Sequence, residues 1–490
     1  MEMGGSDVAV SACGIGTPLQ TKAMEGESSS PPFPLRCVHR VPDRFRRERE
    51  KDYTPRVISI GPYHHKNQAL KRMEVHKWWY LNCFMERSPS QSSHSQNDYI
   101  DKIIEQEEKL RKCYTETIEL TRDEFVTMVL VDAIFLIEFL LRYQFDQLRD
   151  ENDCIFGIPR MLPDVVTDLL MLENQLPLFI LEDLLSLYNG ESRGGAKRLA
   201  IMFLINQASD SLGVKLDTAV KLDTGVKLDT WVKLVTDYYS SRVKGQHFVD
   251  LLRNLLMTPL LEEEKLKGET LSAIAPSMTP RSEEEKLKGE TLSPIAPCLE
   301  KLHLAGGKIH GETSILNMFA IRFDDNRILK SRILKNWIPK FGILKIPKLR
   351  IADPTELILR NLIAFEQCSM SKYPIICHYV MLMDMLVDSP KDVELLFKHK
   401  IVENALLGDD HELSSMINRL SKGIVCDTDF YYGALCGKMD KFCNSNWPKW
   451  IKNLRSIYFN TPWTTLSVVA AVVLLILTAI QTICSIYQTF

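Results

Sequence analysis

Apolar residues along this chain recur mostly three and four positions apart, the spacing that keeps them on one face of a helix. Trp78, Trp79, Leu81 and Phe84 mark such a face between Leu70 and Arg87, and the pattern resumes from Ile100 through Leu120 after a Ser-, Gln- and Asn-rich loop at 88–97. Phe125 to Leu141 is the most apolar internal stretch, interrupted by Asp132 and Glu138. Each acid would cost about 2.5 kcal/mol or more at a bilayer centre, so a buried core helix is expected there rather than a membrane span. Leu162 to Leu185 predicts a helix pair broken at Pro177, and His247 to Met257 a further helix. Asp353, Pro354 and Thr355 can open a helix through Leu357, Leu359, Leu362 and Phe365, with more helices to Leu420. Extended segments are few. Val57-Ile58-Ser59-Ile60 closes at Gly61-Pro62, and Gly342 to Ile351 partly alternates, with Pro347 placing it at a sheet edge. The expected fold is mainly α: a large helical domain over residues 36–459 with a few short β-strands, plus one C-terminal transmembrane helix.

That last helix departs from the periodic pattern. Ser456 to Phe490 contains no charged side chain, and Leu466 to Tyr487 carries twelve Leu, Ile and Val residues. Those 22 residues would form a helix of about 33 Å, against a hydrocarbon core of about 30 Å. Aromatic residues flank it: Tyr458, Phe459 and Trp463 before, Tyr487 and Phe490 after. They form the belt expected at both interfaces. Lys438, Lys441, Lys449, Lys452 and Arg455 lie upstream and no Lys or Arg follows. The positive-inside rule then puts the large N-terminal portion in the cytosol. Residues 1–35 are rich in Gly, Ser and Pro, are expected to be disordered, and lack a signal-peptide apolar run. Insertion would be post-translational. The absence of any Asn-X-Ser/Thr acceptor site suits a cytosolic body.

Two repeats stand out. Val214-Lys215-Leu216-Asp217-Thr218 recurs with a period of six residues, and Glu262 to Leu271 returns at Glu283 after 21. A six-residue period builds no single helical stripe, and added loop length costs little entropy. Both are expected to be exposed insertions, at about 210–236 and 258–298. Net charge is −3, which gives no electrostatic case for nucleic acid. The twelve cysteines are scattered without a Cys-x-x-Cys pair and are expected as free, mostly buried thiols.

Candidate chemistry is sparse. His64, His65 and His76 could ligate a metal but lack HExxH spacing or a nearby cysteine pair, so a structural role after the Gly-Pro turn is expected. Asp164 and Asp168, four apart, or Asp353 and Glu356, three apart, could share a helix face for acid/base work. Helix capping and dipole compensation is the expected role, especially for Asp353. Gly14-Ile15-Gly16 and Gly306-Gly307-Lys308 lack the frame of a nucleotide loop. Arg44, Arg46, Arg47 and Arg49 alternate with Glu48 and Glu50, as on a solvated helix face. No catalytic, cofactor-binding or metal residue is assigned.

Several segments together carry a resemblance. They are Tyr53-Thr54-Pro55, Val57 to His65, Met73-Glu74, His76-Lys77-Trp78, Asp168-Leu169-Leu170-Met171-Leu172-Glu173-Asn174-Gln175-Leu176-Pro177 and Arg360-Asn361-Leu362-Ile363-Ala364-Phe365-Glu366-Gln367-Cys368. Trp447, Tyr458-Phe459 and Pro462-Trp463 complete the set. The chain resembles the plant family called domain of unknown function 247 over about residues 36–488, outside the repeat insertions. The resemblance implies a similar length and one terminal membrane span, with no established activity, cofactor or catalytic residue. Some grass members are associated with pollen–stigma self-incompatibility, which implies recognition rather than catalysis. Lys66, where Gly commonly follows the paired histidines, and Gly307 to His310 depart from the family's pattern.

The expected function is a membrane-tethered, non-catalytic interaction protein held to a lipid bilayer through residues 466–487, with an unknown protein partner and no nucleic acid. The alternatives are a membrane-associated, carboxylate-based hydrolase and an extracellular-facing recognition domain.

Overall fold

Helix α4, Arg122–Gln144, runs through the middle of the packing. A capping box opens it. The Thr121 hydroxyl accepts the Glu124 N–H at 3.3 Å, and the Glu124 carboxylate accepts the Thr121 N–H at 2.9 Å. Phe125, Phe135 and Phe139 are fully buried, which stabilises the fold by about 2–3 kcal/mol each. Its neighbours are α2 (Lys71–Glu86), α3 (Gln96–Lys112), α7 (Leu178–Asn189) and α8 (Gly195–Leu212), so apolar surface is covered all round. The two acids that argued against a span are paired inside the protein. Asp132 meets Lys77 at 2.7 Å, and Glu138 meets Arg142 at 2.7 Å and Arg87 at 2.9 Å.

This is a computed structural model, and it describes residues 36–87, 95–189, 194–214, 239–266, 295–312, 318–326, 341–369, 373–404, 410–426, 430–444 and 462–489. All of them belong to one unit, Arg36–Phe490. The remaining elements are α1 (Asp43–Arg49), α5 (Cys154–Gly157), α6 (Met161–Leu169), α9 (Phe248–Leu266), α10 (Leu299–Leu304), α11 (Thr355–Cys368), α12 (Ile375–Leu386), α13 (Pro390–Lys398), α14 (Asp410–Ser421), α15 (Gly433–Cys443) and α16 (Pro462–Thr489). The strands are β1 (Lys308–Glu312), β2 (Arg322–Asn326), β3 (Phe341–Pro347), β4 (Leu349–Ile351) and β5 (Val402–Asn404). The protein is mainly helical with few, short strands, as the periodicity predicts.

Several boundaries differ from the sequence expectations. The segment Gly342 to Ile351 divides between two sheets at Lys348. Strand β3 lies in the centre of a β1-β3-β2 sheet, parallel to β1 and antiparallel to β2, while β4 pairs in parallel with β5. Pro347 is therefore not on an edge strand. It ends the central strand opposite Glu312, where the Lys348 N–H reaches the Glu312 carbonyl at 3.1 Å. The helix from Ile100 starts earlier, at Gln96, behind a Ser95–Asp98 capping box, and stops at Lys112. The expected helix at His247–Met257 extends to Leu266, into the stretch read as an insertion. The repeat copies at 215–238 and 267–294, and the N-terminal residues 1–35, lie outside the described residues.

Among the described residues no helix is long and apolar enough to cross a membrane. The described side chains of α16 fall in short runs, of which Val473 to Ile483 is the longest. Within it Leu474, Leu475, Ile476 and Leu477 are between 51% and 70% exposed. Four consecutive helical positions sweep about 300° of the helix circumference, so the exposure is not confined to one face.

Candidate functional site

The residues Val57 to Ile60, expected as an extended segment, form no strand. A buried backbone without a sheet partner must find other hydrogen-bonding groups. Here side chains supply them in succession. The Asp168 carboxylate accepts the N–H groups of Arg56 at 3.0 Å, Val57 at 2.7 Å and Ile58 at 2.9 Å. Asn174 donates to the Ile58 carbonyl at 3.0 Å and accepts the Ile60 N–H at 2.6 Å. The Lys77 ammonium donates to the Ser59 carbonyl, and Asp132 accepts the Gly61 N–H at 2.8 Å. Gly61 has a left-handed φ of 73°, and a Cβ there would lie 2.7 Å from the Gln175 carbonyl. Glycine is needed both for the turn and for that close approach.

The groups that hold this segment come from α6 (Asp168), the loop after it (Asn174), α2 (Lys77) and α4 (Asp132). The sequence predicts helix up to Pro177, but α6 stops at Leu169. Residues 170–177 turn back, held by the loop's own polar side chains. Gln175 donates to the carbonyls of Leu169 and Met171, both at 2.8 Å, and accepts the Phe248 N–H at 3.0 Å. Asn361 of α11 accepts the Leu172 N–H at 2.9 Å and donates to the Asp52 carbonyl at 2.9 Å. Glu173 draws in the N-terminal strap. It accepts the Val41 N–H at 2.7 Å, pairs with Arg40 at 2.8 Å and with Arg46, and lies 3.2 Å from the His64 ring.

Electrostatics separate Asp168, at the end of α6, from Glu173 in the loop that follows. Burial raises the Asp168 carboxyl to about 6, against the pull of the three backbone N–H donors. Burial also acts on Glu173, but His64, the Val41 N–H and Arg46 outweigh it and hold that carboxyl at about 2.

The candidates named from sequence separate here. His64 faces Glu173, and among the described residues no group of three or more His, Cys, Asp or Glu side chains could hold a metal ion. Asp164 stands half-buried in the first turn of α6 while Asp168 is buried and committed to backbone donors. They do not form a shared acid/base pair. Asp353 is exposed, and α11 starts behind Pro354 without a side-chain cap, so the capping role expected for Asp353 is not realised. Thr355 does the local work instead, accepting the Ala352 N–H at 2.9 Å and donating to the Ser211 carbonyl. Glu356 sits among Arg49 at 2.8 Å, Arg360 at 2.9 Å and Arg419 at 3.2 Å. The basic run is thus not merely a solvated face. Arg46 and Arg49 neutralise internal carboxylates, and Arg47 is exposed. Gly306 and Gly307 form the turn before β1, where a Cβ on Gly307 would strike Leu302 at 2.8 Å. The roles of Glu173, Arg40, Arg46 and Lys77 were not anticipated. The available signal was polar residues at 173–175 inside an otherwise apolar Leu-Leu-Met-Leu run.

The segments that meet at this junction are those that carry the family resemblance. A model of the family DUF247, described as plant protein of unknown function, matches residues 38–477. The chain belongs to this family. Among its relatives is UPF0481 protein At3g47200 of Arabidopsis thaliana, 28% identical over 462 residues, covering 91% of this chain and 85% of the relative. A second UPF0481 protein of the same plant, At3g02645, is 25% identical over 521 residues, covering 92% of this chain and 90% of that protein. No solved structure matches.

Proposed function

We propose that this DUF247 protein is a membrane-tethered, non-catalytic interaction protein whose α16 helix is its anchor. The carrying observation is the character of α16. Its 28 residues contain no charged side chain, and apolar side chains at consecutive positions are exposed. Apolar side chains exposed at consecutive helical positions need an apolar surrounding on more than one side, which a bilayer provides. Lys438, Lys441, Lys449, Lys452 and Arg455 precede it, which favours a cytosolic body.

Support for a non-catalytic role comes from the buried acids. Asp168 and Glu173 are occupied by backbone and arginine donors that fix the fold. Acid/base catalysis needs a group within reach of a substrate proton, and these carboxylates face their own chain. Tethering would act by confining partner binding to one surface and raising effective concentration there.

Alkaline extraction of microsomes tests the anchor. The full chain should stay in the pellet, and a chain ending at Thr461 should move to the supernatant. Release of the full chain, or retention of the shortened one, refutes anchoring by α16.

A further inference from the structure

The N-terminal strap is joined to the end of α3 by a short parallel pairing at Val38 and Tyr114. The Val38 N–H donates to the Cys113 carbonyl at 3.0 Å and the Thr115 N–H to the Val38 carbonyl at 3.1 Å. The residue before each partner is a cysteine, and the Cys37 N–H also donates to the Cys113 carbonyl, at 2.9 Å. These bonds bring the backbones of Cys37 and Cys113 together, with Cys113 at the helical end of α3. The Cys37 and Cys113 thiols are neighbours, and each bears on the other's charge. They form a small buried cluster with Val38 and Tyr114, apart from the main core. We propose that Cys37 and Cys113 are a reversible dithiol–disulfide pair that, when oxidised by hydrogen peroxide, clasps the N-terminal strap to α3.

The chemistry suits the two environments. Contact with Cys37, and then the nearby Lys109 ammonium, hold the Cys113 thiol below its usual range. Contact with Cys113 and burial push Cys37 up. In its neutral form Cys113 lies 3.3 Å from the Lys109 carbonyl. The Cys113 thiolate would attack one peroxide oxygen, breaking the O–O bond to give a sulfenic acid and hydroxide. The Cys37 sulfur then attacks the Cys113 sulfur and expels the sulfenic oxygen as water. Both thiol protons end in water, so two thiols and one peroxide become one disulfide and two waters. The buried setting favours a small oxidant. The clasp would lock the strap that delivers Val41 and Arg40 to Glu173, linking redox state to the junction.

The test is thiol mapping on the purified full chain in detergent. After hydrogen peroxide treatment, alkylation and digestion, the expected product is a Cys37–Cys113 linked peptide that dithiothreitol resolves. In the Cys37→Ser variant a sulfenic acid should instead be trapped on Cys113 by a dimedone probe. Separate alkylation of Cys37 and Cys113 in the wild type, at a peroxide dose that oxidises other thiols of the chain, would overturn the proposal. So would a disulfide joining Cys113 to another cysteine.

Discussion

The junction around Asp168 and the α16 helix invert each other's chemistry. One places charged side chains in the interior; the other places apolar side chains on the outside. The junction is self-sufficient, because each charge meets partners within the fold: Asp168 three backbone N–H groups, Glu173 two arginines and a backbone N–H, and Lys77 two carboxylates and a carbonyl. Burying such groups is tolerated once they are paired. The exposed apolar surface of α16 has no such internal remedy. Leucine offers nothing to water and is relieved only by another apolar phase. The first region thus explains why the fold holds together, and the second is the ground for proposing a bilayer anchor.

The largest effect is expected in the helix. Leu474→Asp combined with Leu477→Asp should shift the insertion balance by about 6 kcal/mol or more, since a central acid costs about 2.5–3.5 kcal/mol and each lost leucine adds to it. Retention in an alkaline-washed membrane pellet should be lost, while the thermal melting of the body stays as in the wild type. Next comes Lys77→Met. It leaves Asp132, fully buried, without its cation, and should destabilise the body by about 3–5 kcal/mol in denaturant titrations. Membrane retention of whatever protein folds should be unchanged.

The smallest effect is a difference of slope. Glu173 has a depressed carboxyl, so its contribution to stability is full above its ordinary value of 4.5 and fades as pH falls towards about 2. Asp168 has a raised carboxyl. Its contribution is full below the ordinary 3.8 and is lost as pH rises through about 6. The deficit of Glu173→Gln against wild type should therefore shrink on acidification below about 4.5. That of Asp168→Asn should grow as pH falls from about 6 towards 4. Parallel slopes in urea titrations across this range would contradict the distinction drawn between the two acids.

Much of the helical body was legible from periodicity alone. Arg122–Gln144 reads as a core helix because its two acids forbid a lipid setting and its apolar positions cover every face. The loop at 170–177 was not legible. Its leucines keep the spacing of a helix, while its Asn174 meets a distant backbone segment's demand for hydrogen-bond partners. Such a demand appears only when Val57–Gly61 is placed beside it. The same reason hid Arg46 and Arg49. On one helix their charges look solvated, and their carboxylates lie more than a hundred residues away in the chain. Pro347 was misplaced because a proline at the last rung of a central strand meets the same requirement as one at an edge, since no ladder N–H is needed there.

The most direct measurement pairs two variants on two readouts: the Leu474→Asp/Leu477→Asp double substitution and Lys77→Met, each assayed for alkaline-resistant membrane retention and for melting temperature. The account predicts that the first loses retention with an unchanged melting temperature, and that the second keeps retention with a lowered one. If the helix variant also lowered the melting temperature while remaining in the membrane pellet, α16 would be a packed part of the body and the contrast between the two regions would be wrong.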